Sequence, residues 1–288
     1  MKNQLFVVKV LGGGLILSLT AVLLSGSVYQ IWNQLSPWHL LPNLLVSLVL
    51  GSIIVFNRHE GLKLVTIVFL VFFVIGNFNI LIEAYIFDVT GRRETIRQML
   101  EGFITSCLFA PFLVFLFRHR AIQSYRNIDK AWVPWMWRVV IADFLYLFIY
   151  ISAGMILTWV YPQMMNFYED KIPPLGLIVK TQLFVRGFLF IGIAMLMCYA
   201  VALSRWKTAL LIGVTFGTIG GLAPLIHPNE LMPPFVRFGH AIEVFSSNMI
   251  YGTILGLMFY RRFNVHEPTS KSVQKRQSDR FELVKRDL

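Results

Sequence analysis

Within the apolar stretch Phe238–Tyr260, His240, Glu243 and Ser247 recur at i, i+3 and i+7, a spacing that stacks them on one helical face. An imidazole and a carboxylate in that register, joined by Glu83 or His227, could ligate a divalent metal such as Zn²⁺ or Mn²⁺. A metal there would acidify a bound water and support hydrolysis. A second set, Arg186 and Lys180 with Gln182 and Asn79, suits a phosphate or carboxylate head group, Arg as a two-pronged donor and Lys as a point charge. A third chemistry is proton or ion coupling through Glu83, Glu243 and His240, whose charge states respond to occupancy.

The same atoms also have structural readings. Glu83 and Glu243 could simply neutralise Arg186 and Lys180, and His240 could donate to a backbone carbonyl near its helix start. His227, before Pro228, reads as a surface loop residue. Arg138 and Asp143 read as a structural pair, or as a snorkelling arginine beside an acid bonded to Tyr146 or Tyr150 at i+3 and i+7. They lie apart from the other set in this reading.

The elements that must position these groups are membrane spans. The chain is 56% hydrophobic and only 14% charged, with a mean hydropathy of +0.65, against roughly 25% charged residues in soluble domains. Apolar runs of about 20 residues match a ~30 Å hydrocarbon core crossed by helices. The ~10-residue alternation of a membrane β-barrel is absent. The expected fold is all-α, a polytopic bundle of about eight transmembrane helices. Its spans lie at about 6–29, 40–56, 62–87, 103–117, 134–160, 177–203, 208–226 and 238–260. Together they form one domain over 1–262, followed by a polar tail over 263–288 that reads as disordered or as lying near anionic lipid heads. Ser25-Gly26-Ser27 could pass for a cleavage site, but seven further spans favour the first segment as a helix of the bundle. Its Gly12-Gly13-Gly14 run predicts close packing or a bend.

Lys and Arg set the orientation. The N-terminus, the loops at Arg58/Lys63, Arg118–Lys130 and Arg205/Lys207, and the tail are basic. With eight spans all fall on one side, which predicts a cell (inner) membrane protein with both termini cytoplasmic. This distribution accounts for the net charge of +11 without nucleic acid as a partner. On that topology Asn79, Glu83, Lys180, Gln182, Arg186, His240 and Glu243 converge in the outer leaflet. The spacing of Gly213, Gly217 and Gly221, with Gly252 and Gly256, predicts that segments seven and eight pack closely, a face that could also serve an oligomer. Cys107 and Cys198, both inside apolar segments, read as small buried hydrophobes.

No P-loop, G-x-S-x-G, HExxH or pair of aspartates within a span is present. The stretch Thr181-Gln182-Leu183-Phe184-Val185-Arg186-Gly187 faintly resembles the E-E-x-x-x-R motif of the CPBP membrane proteases, the group that includes the CAAX-processing type. His240 followed by Asn248 is similar to the histidine and asparagine of that family's last motif. The resemblance covers segments six to eight and implies a membrane hydrolase. Thr181 and Gln182, however, stand where its two water-activating glutamates belong. The chain also resembles uncharacterised multi-pass bacterial membrane proteins with R-G in one late span and H-x-x-E in the last, which implies no activity. The leading expectation is therefore a polar pocket in the outer leaflet for an anionic or lipid head group, with room for a divalent metal as cofactor. An ion- or proton-coupled transporter, a degenerate hydrolase and an assembly protein are the alternatives.

Overall fold

The computed structural model describes residues 2–25, 36–89, 91–118, 120–122, 133–168, 172–226 and 232–260. His227, the tail over 263–288 and most of the Ser25-Gly26-Ser27 site lie outside the described residues. Eight helices are long and apolar enough to cross a membrane, and no strand forms among the described residues. They are α1 (Lys2–Ser25), α2 (Pro37–Val55), α3 (Gly61–Ile86), α4 (Arg92–Phe117), α5 (Val133–Val160), α6 (Leu175–Ala200), α7 (Arg205–Ile226) and α8 (Pro234–Phe259). Phe144, Phe148, Trp159 and Phe184 stand exposed on the outside of the bundle, as expected of helices solvated by lipid. The chain is an integral membrane protein.

Backbone contacts fix how the helix ends alternate. Arg58 N–H donates to Ala200 O (2.8 Å) and Ala202 N–H to Phe56 O (2.8 Å), tying the ends of α2 and α6. Ile122 N–H, just past α4, reaches Asn57 O at 3.2 Å, and Lys9 Nζ near the start of α1 caps Phe117 O at 2.7 Å. Arg138 near the start of α5 and Arg205 at the start of α7 donate to Met258 O and Leu257 O, both at 3.0 Å. One face therefore gathers the starts of α1, α5 and α7 and the ends of α2, α4, α6 and α8, with Lys9, Arg58, Arg118, Arg138 and Arg205 close by. We call it the basic face.

The glycine stripes bring α7 and α8 together, and their interface is the most extensive in the bundle. A Cβ on Gly252 would lie 3.0 Å from the Cα of Gly213, and one on Gly217 would lie 2.8 Å from Phe245 O. The triple glycine of α1 serves the same end, because Gly13 and Gly14 face Ser47, Leu113 and Leu44, and Ser47 Oγ donates to Val10 O at 2.9 Å.

Three details differ from the sequence reading. α4 is longer than the span expected at about 103–117 and passes through Pro111. It runs unbroken from Arg92, and Arg97 pairs with Glu94 at 2.7 Å and with Glu101 at 3.7 Å along its polar first turns. Cys107 is exposed rather than buried, since it falls on the outward face of α4, whereas Cys198 is buried. A short helix, Gln163–Tyr168, occupies part of the stretch read as a loop.

Candidate functional site

Three of the spans carry one turn of π-helix: Val74–Phe78 in α3, Gln182–Arg186 in α6 and Thr218–Leu222 in α7. Such turns insert a residue into the α-helical ladder and re-aim the side chains that follow, and they are common at functional sites. Here they aim polar residues inward. Asn79 follows the first turn directly, and Gln182 and Arg186 begin and end the second. The turns of α3 and α7 pack on each other, since a Cβ on Gly220 would lie 3.0 Å from the Ile75 side chain. Asn248 of α8 donates to Gly220 O at 3.1 Å, occupying a carbonyl of the third turn.

Arg186 is the centre. Its side chain is 6% exposed, and its Nη1 lies 2.7 Å from Glu83 Oε2. Nε donates to Asn79 Oδ1 at 3.0 Å and Nη1 to Gln182 Oε1 at 3.2 Å, leaving Nη2 outside these contacts. Tyr150 of α5 donates to Glu83 Oε1 at 2.7 Å and presents its ring 5.8 Å from the guanidinium. A charge taken out of water requires this kind of enclosure by a counter-ion and hydrogen bonds. Glu83 is the more open partner, with a third of its side chain exposed.

Beside this pair stands a second group. Tyr168, at the end of the short helix, lies 2.7 Å from His240 Nε2, and His240 Nδ1 lies 3.2 Å from Glu243 Oε2. An ionised Glu243 can only accept, so Nδ1–H donates to it; in the neutral imidazole Nε2 then offers its lone pair and the Tyr168 hydroxyl donates. Burial, reinforced by Glu83 and Glu243, pushes the Tyr168 phenol above its ordinary range, so it remains a donor. Ser247 leaves the polar face, its hydroxyl turning to Val244 O at 3.4 Å.

Asp143 belongs to this cluster rather than to a separate site at the other side. It sits against Gly187, the residue after Arg186, where a side chain on Gly187 would collide with its carboxylate. Asp143 starts ten residues into α5 and Arg186 eleven into α6, so both lie about 15 Å from their helix starts at 1.5 Å per residue, near mid-span. Asp143 is 8% exposed, and its Oδ1 has no hydrogen-bond partner among the described residues, nor has Asn79 Nδ2. Arg138 does not pair with it. That guanidinium snorkels to Met258 O and stacks on Trp135. Tyr146, 3% exposed, is within electrostatic reach of Arg186, Glu83, Glu243 and Asp143, which places all four charges around one phenol.

The structure thus brings together Glu83, Asn79, Gln182 and Arg186 as one network and His240 with Glu243 as another. Lys180 joins neither. It is exposed, six residues before Arg186 on the outward side of α6, with no ion-pair partner among the described residues. Among the described residues no three His, Cys, Asp or Glu side chains come close enough to hold a metal ion. Where the protease resemblance would need two carboxylates, Thr181 Oγ1 is bound to Leu177 O at 2.9 Å and Gln182 to Arg186. The sequence reading missed Tyr168, which had no signal beyond being an aromatic residue in a connecting stretch. Tyr150 was visible only through its spacing from Asp143. No family model, no curated protein and no solved structure matches this chain.

Proposed function

We propose that this integral membrane protein is a carrier coupled to a small cation, the proton included, with its coupling site at the embedded acidic cluster. The observation that carries the proposal is the charge balance. Of the three carboxylates within electrostatic reach of Tyr146, Glu83 is the one paired with the Arg186 guanidinium, Glu243 lies against His240, and Lys180, the expected second cation, is elsewhere. Arg186 neutralises Glu83, which leaves an acidic remainder, and one oxygen of it, Asp143 Oδ1, is buried without a partner. Ionisable groups at membrane depth are costly and are typically retained on ion and proton routes. The π-helical turns supply irregular backbone around this point, as broken helices do in carriers. By the positive-inside rule the basic face favours a cytoplasmic side for both termini, and on that orientation Glu83 and His240 belong to the outer leaflet.

A first test is thermal unfolding of the purified protein titrated with Li⁺, Na⁺ or K⁺ against choline at fixed ionic strength, repeated across pH. A ligand bound only by the folded state stabilises by about 2.7 kcal/mol at a hundred times its Kd. Wild type should be stabilised by one cation or by protons, and Asp143→Asn should lose that response. Indifference of wild type to every cation and to pH contradicts the proposal. A second reading, binding of an anionic head group, draws on Arg186 Nη2, which none of the internal contacts uses. It requires stabilisation by phosphate or an anionic lipid that Arg186→Gln abolishes and Asp143→Asn leaves intact.

A further inference from the structure

Asp143 is the one aspartate within the eight spans, and the hydrogen-bond donors around it are committed elsewhere. The Gly187 N–H, beside its carboxylate, closes the π-helical turn of α6 on Gln182 O. The Tyr251 hydroxyl of α8 donates to Ala142 O at 3.1 Å. The Arg186 guanidinium is turned to Glu83, Asn79 and Gln182. Tyr146, three residues further along α5, packs its ring at 5.2 Å from Phe190 and 5.0 Å from Tyr251. None of these reaches Asp143 Oδ1, which is buried without a partner. The remaining charges of the cluster, Glu83 and Glu243, are themselves acids. What does face the carboxylate is another acceptor. A Cβ on Gly187 would collide with Asp143 Oδ1 and stand 3.0 Å from Gln182 O, so two electron-rich oxygens share the space beside that glycine.

From this we infer that the coupling ion is the proton and that Asp143 carries it. The inference rests on the carrier reading and narrows its small cation to one. An ionised carboxylate buried without a donor is costly, and protonation removes the charge rather than pairing it. A carboxylic O–H also supplies a donor on the side of Gln182 O, a carbonyl with a second lone pair beyond the one taken by Gly187 N–H. Na⁺ and K⁺ fit the site poorly. Such ions exchange their water for a shell of several oxygens, and the space beside Oδ1 is too tight even for the methyl group of an alanine at 187. A proton needs no such volume. Loading forms one O–H bond on Asp143 with a proton taken from water, unloading breaks that bond, and nothing is oxidised or reduced. Gly187 acts as a positioning residue, since its missing side chain is what admits the carboxyl.

The test is infrared spectroscopy of the purified protein across pH, in H₂O and ²H₂O, with aspartate ¹³C-labelled at its side-chain carboxyl. One undissociated aspartic acid should persist near neutral pH, shift with the label and with ²H₂O, and lose its proton reversibly at alkaline pH. It should be missing from Asp143→Asn; the label reads wild type itself, so the result stands even if that variant fails to fold. Thermal unfolding is the second measurement. Wild-type stability should fall as the acid ionises and be the same in Na⁺, K⁺ and choline. No undissociated aspartic acid near neutral pH, or one that never titrates, overturns the inference. Stabilisation by Na⁺ or K⁺ that Asp143→Asn abolishes overturns the proton as the ion and leaves the carrier reading standing. An acid that titrates as expected, in a protein that moves no protons in proteoliposomes, refutes the carrier reading and leaves Asp143 a structural acid.

Discussion

Removing one member of the Glu83–Arg186 pair should cost very different amounts depending on which is removed. Breaking a fully buried ion pair by deleting one partner costs about 3–5 kcal/mol, because the other charge is left uncompensated. Arg186 is 6% exposed, but a third of the Glu83 side chain is accessible. Scaling for that solvent access gives about 2–3 kcal/mol for Glu83→Gln, which strands the guanidinium. Arg186→Gln strands the more accessible carboxylate, which keeps its hydrogen bond from Tyr150, and should cost about 1–2 kcal/mol. The double variant replaces two charges by two amides and should lie within about 1 kcal/mol of wild type, since a buried pair is often neutral against an uncharged replacement. With the double variant near wild-type stability, the coupling energy from this cycle is about 3–5 kcal/mol. Reversible unfolding by SDS titration in mixed micelles, followed by far-ultraviolet circular dichroism, measures all four proteins. Additive losses, with coupling below about 0.5 kcal/mol, would refute the reasoning that these side chains neutralise each other inside the bundle.

Other consequences follow from the same geometry. Gly252→Leu should force α8 away from Gly213 of α7 and destabilise by at least the ~1–3 kcal/mol of an overpacked core, seen as a lower unfolding midpoint; an unchanged midpoint would mean that the helices do not approach so closely. Tyr168→Phe should remove the donor to His240 Nε2 at a cost of about 1 kcal/mol, and ¹⁵N spectra of labelled histidine should then show His240 losing its single Nδ1–H tautomer. Because the Tyr168 phenol is raised in the folded protein, the unfolded chain binds fewer protons than the folded one above the ordinary tyrosine range. Stability should therefore fall as pH rises there, and fall less steeply in Tyr168→Phe; identical slopes would contradict the burial of that hydroxyl. Gly187→Ala should collide with the Asp143 carboxylate and lower the unfolding midpoint, whereas Gly187→Ala combined with Asp143→Gly should restore most of it.

The eight spans were legible because hydropathy and helix rise leave few other choices for apolar runs of this length. The α7–α8 contact was legible because glycines four apart have one common use in a membrane. The start of α4 was not: its first turns are charged, and they are held by contacts of Thr95 with Gly91 O and of Arg97 and Gln98 with Glu94 that hydropathy does not register. The polar residues of α3, α6 and α8 could be ranked by position along their spans, yet no pattern in the chain encodes helix order around a bundle. The meeting of Glu83 with Arg186 was therefore open until the structure brought α3 beside α6. The π-helical turns have no side-chain signature, and they redirect Asn79, Gln182 and Arg186 by inserting a residue, which a regular helical wheel cannot anticipate. The same wheel leaves Lys180 and Arg186 free to be drawn together, whereas the structure exposes the first and buries the second.

The central claim is that the acidic cluster couples a small cation to transport, and ion movement itself tests it most directly. Purified wild type and Asp143→Asn would be reconstituted into proteoliposomes loaded with a pH-sensitive dye, and internal pH followed after an imposed potential with Na⁺ or K⁺ gradients of either sign. A potential- or gradient-driven pH change in wild type that Asp143→Asn removes, with both proteins equally folded and inserted, is the predicted result. Internal pH and internal Na⁺ and K⁺ that all match protein-free liposomes under every gradient would contradict the proposal.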